Sequence, residues 1–186
     1  MTTTELKPGA RLVGQEITGS HRRADLRGAS AWDTRLHDLD LGYAHLVGAI
    51  FTQAQMNNVL FCSADLRGAT FDDAKGVVVN FSYAEARWAS FRRCDFAEGN
   101  FSFVQAQGSD FTSANLVNAR CPGASFQRAR LICANLGGAD LTGADFSHAD
   151  LTNANFTGAN ISGACFDGAA LTGVKGLPVG LVEGVS

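Results

Sequence analysis

The sequence predicts an all-β fold, a four-sided β-helix of about eight coils with twenty residues to each coil. Three observations predict it. Large apolar residues recur at every fifth position from Leu26 to Leu171 without insertion or deletion, and 25 of these thirty centres are Leu, Phe, Ile or Met. Two residues before each centre, 22 of thirty positions are Ala. Twelve of the thirteen phenylalanines fall at centres, although centres are only one position in five.

A period of five matches neither the 3.6 of a helix nor the 2 of a strand, so each unit contains its own bend. The unit has a small inward residue in slot 1 and the large inward centre in slot 3. Slots 2, 4 and 5 face outward and favour Asp or Asn, then Ser, Thr or Arg, then Gly. Asp and Asn side chains bond nearby backbone, and Gly accepts turn conformations that other residues resist. Four units close a square coil, and with neighbouring chains about 4.8 Å apart the coils build a rod about 40 Å long. Phe and Leu stack in columns down the interior, each burial contributing roughly 1.5–3 kcal/mol.

Upstream, Ala10–Gly14 and Gln15–Gly19 read as two further units displaced by one residue, with Ser20–Arg23 absorbing the slip. The expected organisation is an N-terminal end over residues 1–9, the solenoid over 10–173 and a C-terminal tail or cap over 174–186.

Composition narrows the function. Apolar residues make up 46% and charged residues 18%, enough for a core and too few charges for disorder. A net charge of −3 argues against a general nucleic-acid binder. Basic groups outnumber acidic ones 14 to 13 in residues 1–130, whereas residues 131–186 hold one basic and five acidic groups. No apolar run approaches a membrane span of about 20 residues. The opening MTTTELKPGA lacks the pattern of a secretory signal, so a cytoplasmic protein is expected.

Five cysteines without a CxxC argue against a disulfide framework and, with no histidines at ligand spacing, against a metal. Cys94 and Cys121 fall in inward slots, and Cys62, Cys133 and Cys165 in outward ones. An interior filled with Phe, Leu and Ala leaves no concave pocket for catalysis. His21, His37, His45 and His148 are scattered, and His37-Asp38-Leu39-Asp40 lies in a convex part of the lattice. No phosphate-cradling GxGxxG or GxxxxGK[ST] motif is present. The expectation is a non-enzymatic binding protein without cofactors.

The lattice, seen most plainly from Ala139 to Gly163, resembles the pentapeptide-repeat family, whose motif is A-(D/N)-L-x-x, over about nine tenths of the chain. That resemblance implies a right-handed quadrilateral β-helix. It also implies a protein partner, a type II topoisomerase (DNA gyrase or topoisomerase IV), with tolerance to topoisomerase poisons through imitation of duplex DNA. A structural or scaffolding module with another partner is the alternative. Two departures from the topoisomerase-protecting members stand out. The register leaves no room for loops, and the Gly-rich tail GVKGLPVGLVEGVS makes a poor helix. The tail reads either as a cover for the last coil or as a homodimer contact. The acidic surface is also modest: Asp140, Asp145 and Asp150 lie on three sides of one coil, a belt and not a line. They read as backbone-bonding residues, as do Asp25, Asp40, Asp65, Asp95 and Asp110.

Residues that the lattice does not need mark candidate partner-binding positions. Phe103 is the one off-centre phenylalanine, and it shares slot 5 and one side of the rod with Tyr43 and Tyr83. Aromatics in line are either partner hot spots or mutual packing. Arg87, Trp88, Arg92 and Arg93 form a second group, with Arg27 and Arg67 in the column of Arg87. Arginine with tryptophan is interface composition, and a solvated corner is the other reading. Gly76, Ala86 and Ala106 shrink the neighbouring centres, and Val77-Val78-Val79 replaces the polar pattern, through repacking or for a partner.

Overall fold

The computed structural model describes residues 6–178 and 180. The chain is the expected parallel β-helix. Four strands, β1 (Glu16–Ser20), β2 (Arg35–Asp40), β3 (Gln55–Leu60) and β4 (Lys75–Asn80), pair in parallel in the order β1-β2-β3-β4. Beyond them the coils touch through single bridges twenty residues apart, and one column runs Asp25, His45, Asp65, Glu85, Gln105, Ser125, Asp145 and Cys165. Those eight residues mark eight coils.

Backbone accounting explains the repeat. The centre amide donates to the next coil, as from Leu41 to the Leu60 carbonyl at 2.8 Å. The slot-5 amide does the same, as from Tyr43 to Cys62, and the slot-2 amide reaches back, as from His45 to Ala24. Each corner is closed by the slot-1 amide bonding the preceding centre, as from Ala44 to Leu41. Outside the strands the slot-4 amide has no backbone acceptor, and slot 2 supplies one. Asp140, Asp145 and Asp150 accept from the amides of Thr142, Ser147 and Thr152 at 3.2, 2.9 and 3.1 Å. Asp or Asn therefore recurs in slot 2 because an orphan donor recurs two residues later. Asp25, Asp40, Asp65 and Asp110 follow the rule. Asp95 departs from it, accepting instead from Asn115 Nδ2 of the next coil.

Slot 5 has its own rule. Every slot-5 residue from Arg23 to Gly173 has positive φ. This left-handed geometry is free for Gly and costs other residues roughly 1–2 kcal/mol.

The core is a set of aromatic stacks. Phe51, Phe71, Phe91 and Phe111 pile face to face, with centroids 4.9, 4.9 and 4.5 Å apart. Phe61, Phe81 and Phe101 form a second stack at 5.0 and 4.9 Å. Phe71 meets Phe81 edge-on at 5.3 Å inside one coil, whose other two centres are the small residues Gly76 and Ala86. A Cβ on Gly76 would lie 2.3 Å from Val79 Cγ2, so Val79 occupies that space. Likewise Phe91, Phe96 and Phe101 share a coil with Ala106. Repacking accounts for the shrunken centre at Gly76.

One expectation moves. The register changes from Ile17–Leu36 to Gly19–Leu39, so the one-residue slip lies between Ile17 and Gly19 and not in Ser20–Arg23. His21 then takes a centre slot, half-buried, its Nε2 3.0 Å from the Thr18 carbonyl. At the other end, Val174 and Leu177 pack partly on the core and Lys175 bridges Asn155. Residues 179 and 181–186, on which a homodimer through the C-terminal end would depend, lie outside the described residues.

Candidate partner-binding face

The rod presents four faces, labelled here by their slot-5 residues. Face A carries Arg23, Tyr43, Ser63, Tyr83, Phe103, Gly123, Gly143 and Gly163. Face B carries Gly28 to Gly168, including Trp88. Face C carries Asp33 to Gly173, including Arg93. Face D carries Asp38 to Gly158, including Val78.

The candidate residues divide among three of these faces. Tyr83 and Phe103 meet on face A, their rings stacked at 5.1 Å and 14°. Tyr43 stands apart from them, with the Arg22 guanidinium 5.2 Å from its ring centre. Tyr83 is 60% exposed, Tyr43 49% and Phe103 46%. All three hold left-handed backbone, at φ of 58°, 60° and 56°, as every slot-5 residue of the rod does.

Arg87 and Trp88 belong to face B, while Arg92 and Arg93 lie round the corner on face C. The structure does not bring the four into one site, and the arginines are already engaged. Arg93 donates twice to Asp73 at 2.8 and 2.7 Å. Arg92 lies 3.9 Å from Asp110, and Arg87 donates to Gln107 and lies 3.6 Å from Glu85. In the column of Arg87, Arg27 and Arg67 chelate Asp25 and Asp65. Those bonds to arginine hold both carboxyls below the usual carboxylate range. Trp88, 70% exposed, lies across Gly108, where a Cβ would come within 2.9 Å of its Cδ1. Phe103 covers Gly123 in the same way, so the Trp88 and Phe103 rings each lie over a glycine one coil further on.

Face A has a property not evident from its aromatics. Across three successive coils it holds no charge: Leu60, Cys62 and Ser63, then Asn80, Ser82 and Tyr83, then Asn100, Ser102 and Phe103. Arg22, Arg23 and Asp40 bound this stretch at one end, and Arg120 and Asp140 at the other. Aromatic enrichment with charge depletion at the centre and charge at the rim is the composition of a protein interface. Trp32 and Ile50 on face C, and Val13 near the start of the rod, are further exposed apolar residues. Val77 and Val78 on face D, noted only as a break in the polar pattern, are also exposed, and Val78 is a β-branched residue at φ 57°. Slot arithmetic alone would have placed Trp32, Ile50, Val77 and Val78 outward.

Elsewhere the chemistry is quiet. Burial raises the thiols of Cys94 and Cys121 well above the normal range, so both behave as small core residues. His37 Nε2 lies 2.5 Å from Glu16 Oε1 and its Nδ1 3.5 Å from Asp38, on the convex exterior. Among the described residues no group of three or more His, Cys, Asp or Glu is placed to hold a metal ion, and every buried side-chain N or O has a partner. Among them, too, no helix is long and apolar enough to cross a membrane.

Three solved structures are similar in fold. Full-length QnrB1, a plasmid-mediated fluoroquinolone resistance protein, is 22% identical, with 95% of this chain and 88% of that one covered and a TM-score of 0.44. HetL, a pentapeptide repeat protein involved in heterocyst differentiation regulation in the cyanobacterium Nostoc sp. strain PCC 7120, is 23% identical over 93% and 91%, with a TM-score of 0.33. A pentapeptide repeat protein of the Arabidopsis thaliana thylakoid lumen is 37% identical over 46% and 59%, with a TM-score of 0.24. No curated protein matches the sequence. The family profile for pentapeptide repeats matches eight copies, at residues 22–58, 40–75, 79–112, 109–147 and 134–173. With its lattice of five-residue units, orphan-amide caps and stacked centres, the chain belongs to the pentapeptide repeat family.

Proposed function

We propose that this protein is a non-enzymatic binding module that engages a protein partner through the middle of face A. The carrying observation is the uncharged stretch from Leu60 to Phe103, with its stacked Tyr83–Phe103 pair held in left-handed backbone. The partner to test first is a type II topoisomerase, either DNA gyrase or topoisomerase IV, with tolerance to topoisomerase poisons as the outcome. That choice follows from family membership and from the resistance role named for QnrB1.

A scaffolding role with another protein partner is favoured by one specific observation: the acidic residues that would imitate phosphates are backbone caps spread round the coils and not a line of charges. Asp140 is held below the usual carboxylate range by the Thr142 hydroxyl and amide, and Asp73 by Arg93. A gyrase supercoiling assay with and without a fluoroquinolone separates the two readings. Protection or inhibition that disappears in a Tyr83→Ser/Phe103→Ser variant supports the topoisomerase reading. Absence of both effects at micromolar excess leaves scaffolding.

A further inference from the structure

Face A is complementary to itself when one rod is laid antiparallel on another. A two-fold axis through Tyr83, in the plane of contact and across the rod, brings each slot opposite the same slot of the partner and reverses the order of coils. In slot 5 it sets Arg23 against Gly143, Tyr43 against Gly123 and Ser63 against Phe103, with Tyr83 against itself. Arg23 thus faces the open Gly143 and Phe103 faces a serine, while Tyr43 meets Gly123 beside the Phe103 ring that covers it and the two Tyr83 rings meet on the axis. In slot 2 it sets Asp40 against Arg120 and brings Asp140 beside Arg22 and Arg23. Opposite charges therefore face one another at both ends of an uncharged centre.

Arg120 is exposed and makes no salt bridge among the described residues, its charge lying near that of Asp140 in the next coil. Parallel packing has none of this complementarity. A two-fold along the rods keeps coils level and places Asp40 opposite Tyr43, and Phe103 opposite Asn100.

We propose that the occupant of face A is a second copy of this chain, packed antiparallel about Tyr83. The proposal rests on the preceding reading that face A is a protein-binding face, and it names the partner. The contact spans seven coils, about 29 Å, on a face about 10 Å wide, smaller than the standard interface of about 800 Å² per partner. The dimer is accordingly weak and concentration-dependent, and it exchanges with any other protein that uses the same face.

Analytical ultracentrifugation under reducing conditions tests this. The wild-type chain is expected to pass from monomer to dimer below about 500 µM. Arg120→Glu and Asp40→Arg each place like charges across the two-fold, and each should weaken association at least about tenfold. Mixed together, they restore both charge pairs and should form a heterodimer as tight as the wild type. Asp40 also caps Gly42 and bonds Arg22, so its replacement risks the fold. Tyr83→Lys, at an exposed position, sets two cations against each other on the axis and should abolish dimerisation alone. A wild-type chain monomeric at about 500 µM, a folded mixture no tighter than its components, or a dimeric Tyr83→Lys variant overturns the proposal. None of these outcomes alters the supercoiling assay, so failure of the dimer and failure of the binding-face reading are seen separately.

Discussion

The two ends of this rod share left-handed slot-5 corners and differ in the side chains that occupy them. From Gly123 to Gly173, seven of eleven slot-5 residues are glycine; from Arg23 to Asn118, only four of twenty are. From Ala114 onward every slot 1 is Ala, whereas all eight exceptions fall between Thr34 and Ser109. All the continuous strands lie before Phe81. The carboxyl-terminal coils thus follow the local preferences of slots 1 and 5 more closely than the earlier ones. The earlier coils hold the same left-handed corners with tyrosine, tryptophan, phenylalanine and valine. The period dictates the geometry, and bulky residues in these corners hold a backbone that glycine would adopt without strain.

The largest expected effect tests whether the aromatic stacks set the stability of the earlier coils. Phe91→Ala opens a cavity between Phe71 and Phe111 and should cost about 3–5 kcal/mol in urea unfolding. Leu151→Ala in the regular segment should fall in the wider range of about 2–5 kcal/mol.

Next comes the packing exchange at Gly76. Gly76→Ala drives a Cβ onto Val79 and should destabilise by about 1–3 kcal/mol, and adding Val79→Ala should recover part of that loss. An additive double mutant, by the same unfolding measurement, would show that the two residues do not share one space.

Smaller again is the left-handed corner itself. Gly143 has open space around its Cβ direction, so Gly143→Ala isolates backbone strain and should cost about 1–2 kcal/mol. The reverse change, Val78→Gly, should stabilise by up to about 1 kcal/mol, the relief of strain being offset by glycine entropy. Thermal unfolding of the pair compares the two regions directly.

The smallest effect concerns the first coil. The Glu16 carboxylate, with Asp38 on the other nitrogen, raises the pKa of His37. A raised folded-state value means that the contribution is fully present below the ordinary histidine value near 6.5. It is lost as pH rises through the folded value. NMR titration of His37 should give a pKa above 6.5, and β1 amides should exchange faster at high pH than the alkaline trend alone predicts. Glu16→Gln should remove both effects.

Much of the molecule was legible because its information is periodic. The centres, the small slot and the placement of Tyr43, Tyr83 and Phe103 on one side follow from counting in fives and twenties. The role of Asp and Asn as caps was also legible, since their side chains act within two residues. The slip between Ile17 and Gly19 was misplaced because Gly19 and His21 fit two registers equally, and only pairing with β2 distinguishes them. The arginine–tryptophan group looked like one site because Arg87, Trp88, Arg92 and Arg93 are close in sequence, yet a corner falls between Trp88 and Arg92.

By itself the sequence determined the period, the fold, the inward and outward sets and the column to which each residue belongs, since each follows from spacing along the chain. Tertiary structure alone decided which neighbours meet. It stacked Tyr83 on Phe103, laid Trp88 over Gly108, moved Val79 into the space of Gly76 and spent the arginines on carboxylates. The contacts of Tyr83, Trp88 and Arg93 join residues twenty apart and those of Gly76 and Arg27 lie within one coil, but all are governed by ring size, rotamer and charge, which the period does not specify.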